Sequence, residues 1–543
     1  MSEQNWRILA RLYLLGLLGL LGATFLHYGL TWDEELHRAY GECILKWYGS
    51  LFKDASAVNF QTLHFYGGFF DSVAALASQI LPLGVYESRH LVNTLFGFLT
   101  VVYAYRLGKH LAGEAGGFFS ALFLSLTPVF YGHIFNNPKD IPFAALFTVA
   151  LYYLILSYDV LPRLTFKFML KLGIGIGLML GVRVGGIFVY GFAALLWATW
   201  ALVRMGAGGK DWGGVVRQLA ISGTGILAVG WCVMLIFWPW AQTAPLQKPW
   251  SALGIFSKFD WPMPVLYYGR YLPTRELPRD YLATWFFISL PEFYFLVLLS
   301  GCLLGFRYFA RARQEPCLES RAVKVLFLAF VVLFPVLTVM TLRPTVYDGL
   351  RQFLFLLPPL AVLAGISLAG LIKSSLIFRI RAVLVSMVLA SALLTVWDMV
   401  CLHPYENIYF NRLAGGGMQR ASRHFETDYW GNSYKEGAEW LLRNYSSLYP
   451  NGEKIRVANS SRPFLTGYFL AKTEEARRHF ETVDPFDQPD IILTITRWNG
   501  REAYPGRILH TVECCGVPLL YIIRPETKRG TVAPFLESGY NKS

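Results

Sequence analysis

Long apolar runs alternate with short polar loops through residues 1–400 of the chain. Folded as helices, runs of roughly 17 to 23 residues are long enough to cross a hydrocarbon core of about 30 Å. The pattern therefore predicts an α-helical polytopic membrane domain with about 11 transmembrane helices. The predicted spans lie near 12–30, 91–107, 117–132, 141–157, 168–182, 187–203, 218–238, 284–306, 325–342, 352–372 and 382–400. No cleavable small-residue site follows the first run, so it is interpreted as an anchor rather than a signal peptide.

Basic residues are concentrated in alternate loops. With the N-terminus in the cytoplasm, the inner loops contain most of the Lys and Arg residues, and the short outer turns contain only Lys139, Arg183, Arg343 and Arg351. This asymmetry satisfies the positive-inside rule. An odd number of spans then places the C-terminal segment outside the cytoplasm.

The composition agrees with a membrane protein, since 54% of the residues are hydrophobic and 16% are charged, against about 25% charged residues in ordinary soluble domains. The formal net charge of +13 arises mostly from the basic loops. These basic residues form no stripe with interleaved aromatic residues, so no nucleic-acid partner is expected. The seven cysteines show no metal-ligand spacing such as C-x-x-C.

Two loops are too long to be simple turns. In the first long loop, residues 31–90, apolar residues recur at helical spacing over 36–51, which predicts an amphipathic helix on the membrane surface. A second helix is predicted from about 65 to 80, and it either reclines at the interface or forms a twelfth crossing. The second long loop, residues 239–283, is rich in Trp, Tyr and Pro. It is either an aromatic belt in the headgroup zone or a loop that gates substrate entry.

After residue 400 the composition changes to that of a soluble domain. A helix is predicted over 434–444, and strands are predicted over 454–458, 491–495 and 518–523. We therefore expect an extracytoplasmic α/β domain over residues 401–543, which is within the usual range of domain sizes. Gly415-Gly416-Gly417 is interpreted as a linker, because the strand and helix that flank a phosphate-binding loop are missing around it.

Three consecutive carboxylates, Asp33, Glu34 and Glu35, follow the first apolar run. Charges at the mouth of a membrane span are costly unless they contact water, cations or a reacting group. Asp33 could also cap the helix that is predicted after it, because Asp is a favoured N-cap residue. The basic residues of the later outer turns favour a functional role for Asp33.

Other outer turns contribute acids and bases at the same depth. The candidates are His64, Lys139, Asp140, Arg183, Tyr347 and Arg351. Arginine offers fork-shaped donors to phosphate oxygens and a carboxylate can act as a general base, so the set suits a reaction in which a phosphate leaves while a hydroxyl is deprotonated. Asp140 could instead cap a helix, and Arg351 could anchor the end of a span. Arg183 could pair with lipid phosphate, and His64 could be an ordinary interfacial histidine.

Short motifs follow one another on the predicted outer side. They are Asp33-Glu34 in the first long loop, Lys139-Asp140-Ile141-Pro142, Arg183-Val184-Gly185, and the stretch from Tyr347 through Arg351 into 353–360. In this order they resemble the GT-C membrane glycosyltransferases, and more narrowly the family-39 branch of protein O-mannosyltransferases and bacterial aminoarabinose transferases that modify lipid A. The resemblance covers about residues 1–400. The chain departs from the family at Gly67-Gly68, where a Pro-rich helix start is expected, and in the extended acidic run after the first span.

The resemblance implies an inverting glycosyltransferase that uses a polyprenyl-phosphate-linked sugar as donor. Asp33 is then expected to be the general base or the acid that orients the acceptor, with Glu34 in support. Asp140 is expected to be a second acid that orients the basic cluster or the sugar.

The resemblance also implies which residues bind the donor. Arg351, together with Lys139 or Arg183, is expected to hold the lipid phosphate. His64 and Tyr347 are expected to contact the phosphate or the sugar.

We therefore expect a hexosyl or pentosyl transferase that acts on a hydroxyl-type acceptor (protein, lipid or glycan) at the outer face of a plasma membrane. No cofactor is required, although the clustered carboxylates are compatible with a divalent metal ion. Two other classes stay open. One is a transporter or flippase of lipid-linked sugar, for which charges buried in mid-span are expected. The other is a non-catalytic glycan-assembly protein.

Overall fold

A computed structural model describes residues 1–206, 212–312, 316–413, 416–450 and 452–526. Gly415 of the predicted linker and residues 527–543 of the predicted C-terminal domain lie outside the described residues. A helical bundle extends from Glu3 to Leu402, and the described residues after it form a mixed sheet with helices. The predicted fold class, a polytopic helical membrane protein with a C-terminal α/β region, is confirmed.

The bundle is built from sixteen helices and one small hairpin within the described residues. These elements are α1 (Glu3–Thr24), α2 (Glu34–Gly49), α3 (Phe69–Ile80), α4 (Val85–Ser125), α5 (Pro128–His133), α6 (Asp140–Val160), α7 (Phe166–Leu180), α8 (Phe188–Gly206), α9 (Trp212–Ile236), α10 (Pro239–Gln242), α11 (Lys248–Ser257), β1 (Val265–Tyr267), β2 (Arg270–Leu272), α12 (Tyr281–Ser289), α13 (Glu292–Ala312), α14 (Pro316–Leu342), α15 (Leu357–Lys373) and α16 (Phe378–Leu402).

Each predicted span overlaps a helix. Among the described residues, 8 helices are long and apolar enough to cross a membrane, and the number rises to 9 when α12 and α13, which meet at 105°, are counted as one bent span. Helix α7 has only 15 residues, which is short for a hydrocarbon core of about 30 Å at 1.5 Å per residue.

Helix α4 covers the predicted span 91–107 and the first part of the predicted span 117–132, because the chain reverses its direction inside it. The backbone is non-helical at Ala112 and Gly113, and Gly113 has a φ of 77°, which glycine adopts without steric cost. A Cβ atom added to Gly117 would lie 2.7 Å from the carbonyl oxygen of Tyr105, whereas a straight helix would separate these residues by about 18 Å. The segment is therefore a pair of adjacent, oppositely directed helices.

The first long loop contains the two predicted helices, α2 and α3, although α3 begins at Phe69, after the predicted start near residue 65. Contact between two backbones explains the later start. The Phe69 N–H donates to the carbonyl oxygen of Gly181 at 2.9 Å, and a Cβ atom on Gly67 would lie 2.3 Å from the same oxygen. Gly67 thus lets the loop lie directly against the end of α7.

The C-terminal part contains α17 (Met418–Ala421), α18 (Tyr434–Leu448), β3 (Ile455–Asn459), α19 (Phe464–Leu470), α20 (Glu474–His479), β4 (Phe480–Thr482), β5 (Ile491–Ile495), α21 (Gly500–Ala503), β6 (Gly506–Cys514) and β7 (Val517–Pro525). The strand order is β4-β3-β5-β7-β6. Strand β3 is parallel to β4 and β5, whereas β7 is antiparallel to β5 and β6.

The three strands predicted from sequence are β3, β5 and β7, which form the centre of this sheet. The two strands without a sequence signal, β4 and β6, lie at its edges. Most of β6 is only partly buried or exposed, so its apolar pattern is weak, and β4 has only 3 residues. The division of the chain into domains at residue 400 stays a prediction.

Candidate active site

The loop between α1 and α2 is held against the C-terminal part of the chain. The Gly29 N–H donates to Asn432 Oδ1 at 2.7 Å, and the Trp32 N–H donates to the carbonyl oxygen of Trp430 at 3.3 Å. Asn136 Nδ2 completes the junction by donating to the carbonyl oxygen of Gly29 at 2.9 Å. The predicted acids of this loop therefore lie between the bundle and the C-terminal domain.

Asp33 precedes α2 but its side chain makes no capping hydrogen bond. Its Oδ2 atom instead accepts a hydrogen bond from Nη1 of Arg351 at 3.2 Å, and 30% of the Asp33 side chain is exposed. Burial raises the pKa of the Asp33 carboxyl, but the positive charges of Lys139 and Arg351 outweigh this effect, so its pKa is below the ordinary value. Asp33 is thus ionised at neutral pH and partly accessible, as a proton acceptor must be.

Glu34 is 1% exposed and closes the turn before α2. Its Oε1 atom accepts the Thr31 N–H at 2.8 Å, and its Oε2 atom is paired with Nε2 of His90 at 2.9 Å. These contacts fix the backbone on both sides of Asp33, and the supporting role of Glu34 in catalysis stays a prediction. Glu35 pairs with Arg38 at 2.7 Å instead and is partly exposed.

A second buried ion network lies behind α2. Asp71 of α3 is paired with Nδ1 of His37 at 2.9 Å and with Nη2 of Arg89 at 2.7 Å. This network joins α2, α3 and α4, and it therefore holds the helix that follows Asp33 in place.

Arg351 is buried, with 4% of its side chain exposed, and two carboxylates hold it. Nη1 contacts Asp33 and Nη2 contacts Asp348, each at 3.2 Å. The guanidinium lies 4.5 Å from the ring centre of Trp430 and 5.5 Å from that of Tyr347. An arginine that anchors a span in the headgroup layer would extend to the surface, so the burial of Arg351 argues against that simpler interpretation.

Asp140 and Arg183 form the second acid–base pair of the site. Oδ1 of Asp140 lies 2.6 Å from Nη2 of Arg183, and Oδ2 accepts a hydrogen bond from Asn137 at 3.1 Å. The N-cap residue of α6 is Lys139, not Asp140. The Lys139 ammonium lies 5.0 Å from the ring centre of Tyr66, and its charge contributes to the lowered pKa of Asp33.

Two arginine nitrogens of this site have no acceptor within the described part of the chain. They are Nε of Arg183 and Nε of Arg351, and both are buried. A buried N–H group without an acceptor is unfavourable by about 1–3 kcal/mol. An oxygen atom of an anionic ligand would satisfy either group, and phosphate matches the guanidinium fork.

Aromatic side chains form one wall of the site. Tyr347 stacks on Trp261, with ring centres 4.6 Å apart and planes inclined by 8°. Trp32 lies 6.4 Å from Trp261 on one side and stacks on Trp498 at 6.0 Å on the other. The second long loop, through Trp261, thus contributes to the wall of the site.

His64 lies in a different environment. Its ring packs on Phe65 at 3.9 Å and near Trp240 at 5.5 Å. Within the part of the chain that the structure describes, no contact joins His64 to Asp33 or Arg351, so its role in binding phosphate or sugar stays a prediction.

Sequence reasoning missed four residues of the site: the charged residues Asp348, Glu426 and Arg497, and Trp430, whose ring lies against Arg351. Asp348 stands inside the quoted stretch from Tyr347 to Arg351, and its backbone is left-handed with a φ of 57°. The others come from the C-terminal domain, where no motif marked them. Nη2 of Arg497 contacts Asp348 at 2.7 Å, and its Nε contacts Glu426 at 3.0 Å.

Among the residues that the structure describes, no group of three or more His, Cys, Asp or Glu side chains could hold a metal ion. The expectation that no cofactor is required, with a divalent metal ion compatible, stays a prediction.

The stability of the protein is expected to depend on the protonation of Glu426. Burial raises the pKa of Glu426 to about 7 from its ordinary value of 4.5, the Asp348 carboxylate adds to this effect, and Arg497 opposes it. Between pH 4.5 and 7 the folded state therefore keeps a proton on Glu426 that the unfolded state has already lost. Over this range the free energy of unfolding falls by about 3 kcal/mol as the pH rises, and it is then constant for this group.

Thermal unfolding of purified protein at pH 5 and pH 8 tests this expectation. Glu426→Gln removes the titrating group. The melting temperature of the variant minus that of wild type should therefore be larger at pH 8 than at pH 5. Glu481→Gln, which changes an exposed residue of β4, is the control. If the melting temperatures of Glu426→Gln and wild type changed equally with pH, Glu426 would not be the titrating group.

Comparison with protein families agrees with the sequence-based resemblance. A family model described as dolichyl-phosphate-mannose-protein mannosyltransferase matches residues 73–222, a range that includes Lys139, Asp140 and Arg183. The predicted resemblance to the GT-C glycosyltransferases is confirmed over this range. The search of curated proteins gave no match.

Two solved structures illustrate what the chain path is similar to. ArnT from Cupriavidus metallidurans bound to undecaprenyl phosphate is 15% identical, with a TM-score of 0.49 over 97% of this chain and 100% of that chain. The Archaeoglobus fulgidus oligosaccharyltransferase in its apo form is 12% identical, with a TM-score of 0.48 over 91% of this chain and 69% of that chain.

Proposed function

We propose that this chain is an inverting glycosyltransferase that moves a sugar from a polyprenyl-phosphate donor to a hydroxyl-type acceptor. The observation that carries the proposal is the combination of an accessible carboxylate, Asp33, with two guanidinium groups, those of Arg351 and Arg183, whose buried Nε atoms have no acceptor among the described residues. The family model that matches residues 73–222 supports the same reaction class.

The geometry suggests how each group acts. The donor phosphate binds at Arg351 and Arg183, and it competes with Asp33 for the Arg351 fork. The released Asp33 carboxylate then accepts the proton of the acceptor hydroxyl. The acceptor oxygen forms a bond to the anomeric carbon from the face opposite the phosphate, and the bond from that carbon to the phosphate oxygen breaks. The bonding electrons leave with polyprenyl phosphate, and the guanidinium groups stabilise its charge.

The sugar is expected to lie against the wall of Tyr347 and Trp261, since apolar sugar faces pack on aromatic rings as other apolar ligand surfaces do. A planar stack of this kind accommodates a hexose or a pentose, so we propose a hexosyl or pentosyl transferase. The acceptor would approach from the partly exposed side of Asp33.

We further propose that the site faces the outside of a bacterial-type plasma membrane and that the C-terminal domain is periplasmic. The N-terminal end of α1 lies at the opposite end of the bundle from Asp33, because α1 separates them. At that end Arg7 and Lys109 contact Glu114 at 2.7 and 2.8 Å, and Lys373 lies 3.5 Å from Glu3. Basic residues at this end agree with a cytoplasmic N-terminus.

A reconstitution experiment tests the proposed function. Purified protein in proteoliposomes is expected to convert labelled polyprenyl-phosphate sugars from a bacterial lipid extract into polyprenyl phosphate and a covalent glycoside, both detected by mass spectrometry. Asp33→Asn protein in the same vesicles is the control. Movement of intact lipid-linked sugar across the vesicle membrane without a covalent product would indicate a transporter. Binding of the lipid without turnover or transport would indicate an assembly protein.

A further inference from the structure

We propose that Arg497, in the C-terminal domain, is a positioning residue of the active site that acts on Arg351 through Asp348. The inference rests on the proposed function, since it concerns how the phosphate-binding arginine is kept available for its ligand. It makes the C-terminal domain a part of the catalytic unit.

Arg497 is held on all of its nitrogen atoms. Nη2 contacts Oδ1 of Asp348 at 2.7 Å, Nε contacts Oε1 of Glu426 at 3.0 Å, and Nη1 donates to the carbonyl oxygen of Tyr429 at 2.7 Å. Its side chain is 1% exposed. Each nitrogen atom of Arg497 therefore has a protein partner, whereas Nε of Arg351 has none among the described residues. Because Arg497 is also almost fully buried, it acts through its partners and not by direct contact with a ligand.

Asp348 is the partner that links the two arginines. Oδ1 contacts Arg497 and Oδ2 contacts Arg351, and the Asp348 side chain is fully buried. One negative charge is thus divided between two positive charges. Arg351 consequently retains a positive charge that Asp348 does not neutralise, and this charge is available to Asp33 and to a phosphate.

Removal of Arg497 would change this balance. The whole charge of Asp348 would then act on Arg351 in a buried environment, where electrostatic interactions are strong. The Arg351 fork would be drawn towards Asp348 and away from the phosphate. The expected effect is weaker donor binding, although Arg497 itself does not touch the donor.

The backbone that follows Arg497 is strained. Arg497 follows β5, and the next two residues, Trp498 and Asn499, have left-handed backbones with φ of 55° and 54°. Such a backbone is unusual for a bulky residue and persists only where surrounding contacts determine it. Here Trp498 stacks on Trp32, and its Nε1 donates to the carbonyl oxygen of Pro264 at 2.9 Å.

Both long loops and the C-terminal domain therefore meet around Arg497. If Arg497 only held the C-terminal domain against the bundle, its substitution would also destabilise the protein. The test must therefore separate this docking role from charge sharing. The two roles differ in how Arg497→Gln responds to a second change at Asp348. If Arg497 shares the charge of Asp348, adding Asp348→Asn should restore donor binding. If Arg497 only docks the domain, adding Asp348→Asn should weaken donor binding further.

The experiment measures binding of undecaprenyl phosphate to purified protein in nanodiscs, together with the donor KM and kcat. Arg497→Gln is expected to weaken undecaprenyl phosphate binding and to raise the donor KM, each by about tenfold, with a smaller effect on kcat. The double variant Arg497→Gln, Asp348→Asn should recover most of the lost affinity. Arg456→Gln changes an arginine of the same domain whose side chain donates to the carbonyl oxygen of Gln488, and this variant should bind undecaprenyl phosphate as wild type does.

Arg497→Lys keeps the charge but cannot make the three-way contact, and it serves where Arg497→Gln does not fold. Charge sharing predicts that the Lys variant binds undecaprenyl phosphate within about threefold of wild type. Unchanged binding in Arg497→Gln, a double variant weaker than Arg497→Gln alone, or a Lys variant as weak as the Gln variant would overturn the inference. Wild-type protein that does not bind undecaprenyl phosphate would overturn the proposed function, and this inference with it.

Discussion

Asp33→Asn is expected to lower sugar transfer by about 10²–10⁴-fold, the usual contribution of a positioned general base. The change keeps the size of the side chain and its ability to accept a hydrogen bond from Arg351, but the amide cannot take a proton from the acceptor. Because the Asp33 side chain makes no capping hydrogen bond to α2, the helix should be unaffected. The turnover rate with saturating donor is the measurement.

Glu35→Gln is the matched control for this prediction. It removes a carboxylate from the same acidic run, but one that pairs with Arg38 on the partly exposed face of α2. Turnover should be close to wild type in this variant, and both variants should elute as monodisperse protein. An Asp33→Asn protein that still transfers sugar at the wild-type rate would remove Asp33 from the mechanism.

The second large effect is expected at Arg351. Arg351→Gln removes the group that contacts both Asp33 and Asp348 and that offers a free N–H to the phosphate. Loss of one such donor commonly lowers kcat by about 10²–10³-fold. The variant also leaves buried carboxylates with fewer partners, and breaking a buried ion pair from one side costs about 3–5 kcal/mol. Arg497 still contacts Asp348, so the loss of stability should be at the lower end of this range.

Arg351→Lys separates these two consequences. The ammonium group restores the charge and hence much of the stability, but it lacks the planar fork that spans two acceptors. We therefore expect melting temperatures near wild type together with a strongly raised donor KM. Arg343→Gln, which changes an exposed arginine before the same turn, is the control. Donor KM and kcat near the wild-type values in Arg351→Gln would show that the phosphate binds elsewhere.

The membrane part of the fold was predictable from the sequence to the level of single helices. Runs of apolar residues are local and long, so a span near 141–157 or 382–400 is evident without any partner. The reversal inside α4 was also implied, since two separate apolar runs, 91–107 and 117–132, were predicted there. The central strands of the C-terminal sheet were predictable for the same reason, whereas the edge strands β4 and β6 were not, because an edge strand buries less apolar surface.

The candidate site was predictable as a set of residues but not as a set of pairs. Asp33, Asp140, Arg183 and Arg351 were selected because charges at the ends of spans are costly. Which acid meets which base depends on how the helices pack. Asp33 and Arg351 are 318 residues apart in the chain, and no local pattern distinguishes this pairing from Asp33 with Arg183.

The sequence by itself determined that this is a polytopic membrane protein with acids and bases at one depth, because hydrophobic periodicity and charge position are properties of short segments. Only the tertiary structure decided that Asp33 contacts Arg351 instead of capping α2, and that Arg497 of the C-terminal domain shares Asp348 with Arg351. The physical reason is that a buried charge is stabilised by whichever opposite charge the fold brings within a few ångströms. That distance is set by packing between segments that are far apart in the chain.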